Sequence, residues 1–182
     1  SIYGNIQPKY QWIHQHFKDE VKYNLDNIVV CYLDIEVGKT ASGYAKVESA
    51  EGEILSISVK YSNLKQKVVF GRKDFTGSLD NAVHIKCDTE EILVRKFIEL
   101  FSKNSPDIVT GWNIKFFDIP YLVNRAMRIL GDSYYKKLSP WKIVNQDIEY
   151  LGGSELQTYN IFGVSVLDYI ELYKKFTYVT RD

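Results

Sequence analysis

The chain has 182 residues, 45% of them apolar, and its 23 lysines and arginines are balanced by 23 aspartates and glutamates. Such a length and apolar content fit one ordinary domain with a real core. The zero formal charge excludes a protein that coats nucleic acid by bulk electrostatics and leaves only local basic patches for that purpose.

No apolar stretch approaches the roughly 20 residues that span a bilayer, and no basic-then-apolar secretory signal opens the chain, so no membrane partner is expected. Ser1 to Asn27 (1–27) read as a polar, aromatic-rich lead-in from a preceding N-terminal region, and 28–182 as the domain proper. Trp12, Ile13, His16, Phe17 and Val21 recur at helical spacing and predict a short amphipathic helix ending near Tyr23. His14 and His16 have no third zinc-type ligand near them and read as surface or packing residues.

The β-branched run from Ile28 to Val37 predicts a central buried strand. Ile54 to Tyr61, with Leu55, Ile57, Val59 and Tyr61 alternating, and Lys67 to Phe70 predict its antiparallel neighbours. Thr89-Glu90-Glu91 then opens an amphipathic helix with Ile92, Leu93, Phe97, Ile98 and Phe101 on one stripe, stopped by Asn104-Ser105-Pro106. A strand over Asp107 to Trp112 runs into Asn113. Pro120 permits a helix over Tyr121 to Leu130 that Gly131 ends, which puts Asp118 at a strand-to-helix junction.

Lys142 to Tyr150 and Glu155 to Phe162 flank Gly152-Gly153 as a β-hairpin, and Val164 to Asp168 forms a last strand leading into a helix through Phe176. This order suits an α/β fold with a mixed sheet flanked by helices. Cys31 and Cys87 lack metal-type spacing and read as buried thiols of a reducing compartment.

Asp34 and Glu36 close the first apolar run, and residues two apart on a strand point to one face. Asp118 follows the second run, so three carboxylates can meet at the strand ends of one sheet. Hard divalent cations take such oxygen ligands. Two of them about 4 Å apart would stabilise the attacking and leaving oxygens of in-line phosphodiester hydrolysis. Taken singly, Asp34 and Glu36 read as a solvated strand end, and Asp118 as a helix N-terminal charge favoured by the dipole.

Tyr32-Leu33-Asp34-Ile35-Glu36-Val37 resembles the first 3′–5′ exonuclease motif of family B DNA polymerases. Gly111-Trp112-Asn113-Ile114-Lys115-Phe116-Phe117-Asp118-Ile119-Pro120-Tyr121 resembles the second. The stretch from Ile161 to Phe176 is similar to the corresponding part of replicative polymerases of T-even-like bacteriophages. The likeness runs from about Asn24 to Phe176 in the right order, which makes it specific; nothing of the polymerase palm is present.

The resemblance implies a ribonuclease-H-like architecture with an inserted hairpin, proofreading hydrolysis at the primer 3′ end, and a pair of Mg²⁺ or Mn²⁺ ions. By the same likeness Asp34 bridges both metals, Glu36 binds the one that activates water, and Asp118 holds the one at the leaving 3′-oxygen. It further implies an Asn113 hydrogen bond near the substrate or carboxylates, and Phe117 as a wall beside the terminal nucleotide. The Gly152-Gly153 hairpin is implied to part a mismatched primer end from its template. Implied partners are single-stranded primer DNA, the remainder of the polymerase chain, a phage sliding clamp and the replisome, in the cytoplasm of an infected bacterium. Tyr44, by its loop position alone, reads as a base-stacking residue.

The family's fourth carboxylate lies in a Tyr-x-x-x-Asp motif, which Tyr178 to Asp182 mimics. Phe176-Thr177-Tyr178-Val179-Thr180 is β-branched and aromatic, a poor helix, so the match reads as a decoy and the domain as truncated before its last motif. Asp168 is an alternative fourth ligand, but reads rather as a residue supporting the ligands from behind or capping its strand. A chain carrying three of four carboxylates is expected to be weak or inactive alone. Two alternatives stay open: a stand-alone exonuclease of the same carboxylate superfamily, needing Asp182 as a ligand, and a nonenzymatic DNA-binding part of a split polymerase. Of the short basic clusters, Lys136, Lys137 and Lys142 near the hairpin are the better phosphate contacts.

Overall fold

The computed structural model describes residues 7–176 apart from 20, 21, 23, 41, 42, 79 and 132; Asp182 and the mimic motif lie outside the described residues. Helix α1 (Pro8–His16) begins with Pro at its first turn, where the missing N–H costs nothing, and a short 3-10 turn follows at Leu25–Asn27. The predicted lead-in helix is thus displaced towards the N-terminus. Phe17 already leaves the helical region (φ −120°, ψ 87°), and Val21 and Tyr23 lie outside the described residues. No residue of α1 is buried.

The strands β1 (Val30–Val37), β2 (Ile54–Tyr61), β3 (Lys67–Gly71), β4 (Ala82–Lys86), β5 (Ile108–Gly111) and β8 (Ser165–Asp168) form one six-stranded sheet in the order β4-β3-β2-β1-β5-β8. β1 pairs antiparallel with β2, and β2 with β3; β3 with β4, β1 with β5 and β5 with β8 are parallel. The mixed sheet agrees with the sequence reading, which lacked β4.

Helices α2 (Glu90–Lys103) and α3 (Asp118–Leu130) cover one face. Thr89 caps α2 by accepting the Ile92 N–H at 3.2 Å, and Gly131, at φ 85°, ends α3 in a conformation that costs glycine little. The core joins Cys31, Leu33 and Ile35 of β1 and Ile57, Val59 and Tyr61 of β2 to Leu93, Phe97 and Phe101 of α2 and Leu122 of α3. Each fully buried side chain of this kind contributes about 2 kcal/mol.

β1 is central but is not buried on both faces. Tyr32, Asp34 and Glu36 are exposed on the face opposite the helices. A bulge between Glu36 and Val37 also breaks the alternation of β2, so that Ile54 is buried and Leu55 faces solvent.

β6 (Val144–Leu151) and β7 (Ser154–Ile161) form a separate two-stranded sheet in full register from Val144–Ile161 to Leu151–Ser154. Gly152 and Gly153 form its turn with φ of 59° and 85°, the doubly positive pattern that matches strand twist. A 3-10 turn at Tyr134–Leu138 precedes it, and α4 (Tyr169–Phe176) follows β8. Cys31 and Cys87 are buried and free. No helix among the described residues is long and apolar enough to cross a membrane.

Candidate active site

Asp34 and Glu36 project from one face of β1 because they are two residues apart on an extended chain. β5 pairs with β1 only as far as Tyr32–Thr110 and ends at Gly111, so β1 runs on without a ladder partner on that side. Asp118, the first residue of α3, fills the gap: its Oδ1 accepts the Ile35 N–H at 2.9 Å. The chain reaches that point through a tight turn. Asn113 adopts φ 61°, a conformation Asn tolerates better than most residues, and the Phe117 N–H donates to its carbonyl at 3.0 Å.

A single buried carboxylate holds this turn. Asp168, at the end of β8, accepts the N–H groups of Asn113 at 3.0 Å, Lys115 at 3.0 Å and Ile170 at 2.9 Å. It therefore caps the strand end, one of the roles the sequence reading gave it, and also the start of α4.

Asp118 is 4% exposed. Burial lifts its carboxyl from 3.8 to about 7, against the Ile35 N–H, which lowers it, and with the charge of Asp34, which raises it further. The two carboxylates thus feel each other across the strand end, a pairing that a divalent cation would relieve. Glu36 is disposed differently. It lines a cleft of about 210 Å³ together with Gly43, Tyr44, Ala45 and Phe117. Among the described residues no three His, Cys, Asp or Glu side chains converge as a ready-made ion cage. Carboxylates such as those of Asp34 and Asp118 are the donor type a hard cation takes, and Glu36 is exposed on the same strand face as Asp34.

Phe117 stacks on Tyr121 with ring centroids 5.6 Å apart and forms one wall of the Glu36 cleft. Tyr44 stands at its edge, 98% exposed. Asp34 also borders a wider groove of about 430 Å³ on the open sheet face, beside Tyr32, Ser58, Lys60 and Lys67. Gly152 and Gly153 belong to the hairpin turn and not to these clefts. Lys115 and Gly111 took no part in the sequence reading of the site, although both stand inside the second motif. A Cβ on Gly111 would lie 2.4 Å from the Leu33 carbonyl oxygen, one residue from Asp34.

The family model described as DNA polymerase family B, exonuclease domain, matches residues 5–181. The DNA-directed DNA polymerase of Escherichia phage RB69 is 29% identical over an alignment of 199 residues, covering 95% of this chain and 22% of the relative. The DNA-directed DNA polymerase of Enterobacteria phage T4 is 41% identical over 101 residues, 55% of this chain and 11% of the relative. The DNA polymerase delta catalytic subunit of Caenorhabditis elegans is 45% identical over 42 residues, 23% of this chain. The chain therefore spans at most about a fifth of the length of these phage relatives.

Proposed function

From the premise that the chain belongs to the exonuclease-domain family of the family B DNA polymerases, we propose that it hydrolyses the terminal phosphodiester of a primer 3′ end as the proofreading part of a phage replicative polymerase. The observation that supports this most is the burial of Asp118 against the Ile35 N–H with the Asp34 charge beside it. The bond to Ile35 accounts for the placement of Asp118, and a bound cation would in addition offset the repulsion between the two carboxylates.

In this reading Asp34, Glu36 and Asp118 would hold a pair of divalent cations, Mg²⁺ or Mn²⁺, which when bound would supply Lewis acidity to the water and to the leaving 3′-oxygen. Phe117 walls the terminal nucleotide, Tyr44 stacks on an unpaired base, and Asn113 holds the turn from which a substrate hydrogen bond is made. The hairpin turned by Gly152 and Gly153 parts the mismatched end. The working protein includes the rest of the polymerase chain, with DNA as substrate and a clamp and replisome as partners in the infected bacterial cytoplasm. Among the described residues this reading assigns three of the four carboxylates of the family pattern, and three alone would support weak cleavage or none.

The test is Mn²⁺-dependent cleavage of single-stranded DNA by the complete polypeptide that carries this domain. Asp34→Ala should remove turnover. Unchanged turnover in that variant overturns the assignment, and cleavage by the 182-residue chain as fast as by a complete proofreading enzyme overturns the need for a fourth carboxylate.

A further inference from the structure

The hairpin is not hydrogen-bonded into the main sheet; Val144, Tyr159 and Ile161 pack its base into the core, and side-chain ties steady it further. Two are prominent. At its base, Tyr159 donates through its hydroxyl to Asn124 Oδ1 of α3 at 2.5 Å, and Asn124 Nδ2 donates to Gln157 Oε1 at 3.1 Å. Further along the stem, Lys115 reaches out of the turn between β5 and α3. Its Nζ lies 2.8 Å from Glu149 Oε2 on β6 and 3.1 Å from Glu171 Oε1 on α4. Its backbone N–H is one of the three held by Asp168.

Between the stem and β8 lies a polar cleft of about 380 Å³ bordered by Lys115, Asp147, Glu149, Asn160 and Ser165. The stem therefore stands off the sheet, and Lys115 bridges from the catalytic turn to Glu149 on it. Without that cation Glu149 and Glu171 would face each other uncompensated. Half-burial disfavours the charge on Lys115, and its two carboxylate partners more than restore it.

We propose that Lys115 is a positioning residue that sets the stance of the hairpin over the catalytic turn, and thereby the preference of the domain between frayed duplex ends and single strands. This rests on the exonuclease reading above. It gives the second motif a task besides presenting Asp118, since the same six-residue turn orients the device that delivers the strand.

The experiment compares the complete polypeptide with its Glu149→Gln variant on a mismatched duplex end and on a single strand, with Mn²⁺. Cleavage of the duplex end should fall about 5-fold, the size of one partly exposed ion pair, while single-strand cleavage stays within about 2-fold. Lys115→Glu should impair duplex editing further, and combining it with Glu149→Lys should recover most of it, which a loss of stability alone does not do. Parallel losses on both substrates, or a charge swap no better than Lys115→Glu, overturn the proposal. A second readout needs no catalysis: amide exchange in 144–151 and 154–161 of the 182-residue chain should accelerate in Glu149→Gln, with α2 unchanged. If the wild type cleaves neither substrate, the exonuclease reading fails, and the exchange measurement alone upholds or rejects the tie to the hairpin.

Discussion

The carboxylate of Asp118 takes the place of a missing strand partner for Ile35, accepting its N–H at 2.9 Å where β5 has already ended. A buried N–H without an acceptor is costly, so β1 and α3 are locked together at the residue between Asp34 and Glu36. The same bond that completes the backbone accounting of the sheet thus sets one carboxylate beside another.

That lock has a pH signature. The folded carboxyl of Asp118 titrates near 7 against 3.8 in an unfolded chain, burial being the main cause. Between about pH 4 and 7 the folded state binds a proton that the unfolded state has lost, so this group's contribution to stability declines as pH rises through that window. Asp118→Asn keeps an acceptor for Ile35 and cannot ionise. In chelator, it should be more stable than the wild type at pH 8, by an amount on the order of a few kcal/mol, and about equal to it at pH 4. Urea unfolding at the two pH values checks this, and an equal difference at both would mean that the wild-type carboxyl is not held neutral.

Asp168 → Ala should be more damaging than a surface change of the same size, because three N–H groups lose their acceptor. A cost of about 3 kcal/mol is expected from the desolvated donors. Asp168→Asn should fall between, since its single amide oxygen can keep the two bonds made by Oδ1, to Asn113 and Ile170, and not the one from Lys115. Equal urea midpoints for the two variants would contradict this account.

Much of this was legible because it is local. The i, i+2 spacing of Asp34 and Glu36, the Thr89 cap, the Gly152-Gly153 turn and the junction before Asp118 are each decided within a few residues. The edge strand β4 was not, since Ala82-Val83-His84-Ile85-Lys86 is short and carries a polar residue at its centre. Nor were the contacts of Lys115, whose partners lie 34 residues away at Glu149 and 56 away at Glu171. Strand parity puts Glu36 on the face of Asp34, and it is exposed there, but the cleft it lines with Phe117 and Tyr44 joins residues far apart in the chain, which no spacing rule fixes.

Gly111 is required by close approach, not by backbone angle. Its Cβ would meet the Leu33 carbonyl oxygen and the Ile114 side chain, both at 2.4 Å, and the first of these is backbone that cannot rotate away. Gly111→Ala should push β5 off β1 beside Asp34, with a stability loss of about 2 kcal/mol or more. Differential unfolding measures it; a variant as stable as the wild type would show that the strands have room to part.

Neither cysteine should react in the folded protein. Cys31 is fully buried, and burial pushes its thiol up to about 12; Cys87 is also buried and raised for the same reason. A thiol reagent at pH 8 should label both only in denaturant. Rapid labelling of either in native buffer would reveal opening of the sheet at β1 or of the segment leading into α2.

The buried pair of Arg125 on α3 and Glu90 on α2 ties the two covering helices together. Its fork is complete, with Nε to Oε1 at 2.8 Å and Nη2 to Oε2 at 2.7 Å. Arg125 Nη1 also donates to the carbonyls of Ala50 and Glu51, and Glu90 Oε1 accepts the Ile54 N–H at 2.7 Å. Glu90→Ala strands a buried guanidinium and should cost about 3–5 kcal/mol. Arg125→Lys keeps the charge and loses the planar fork, so it should not be neutral either. Replacing both by leucine should recover part of the loss, because no unpaired charge remains, but not all of it, because the Ala50, Glu51 and Ile54 backbone groups lose their partners as well. A double variant as stable as the wild type would mean that those three backbone groups find other partners, and the pair would then be dispensable to the placement of α3.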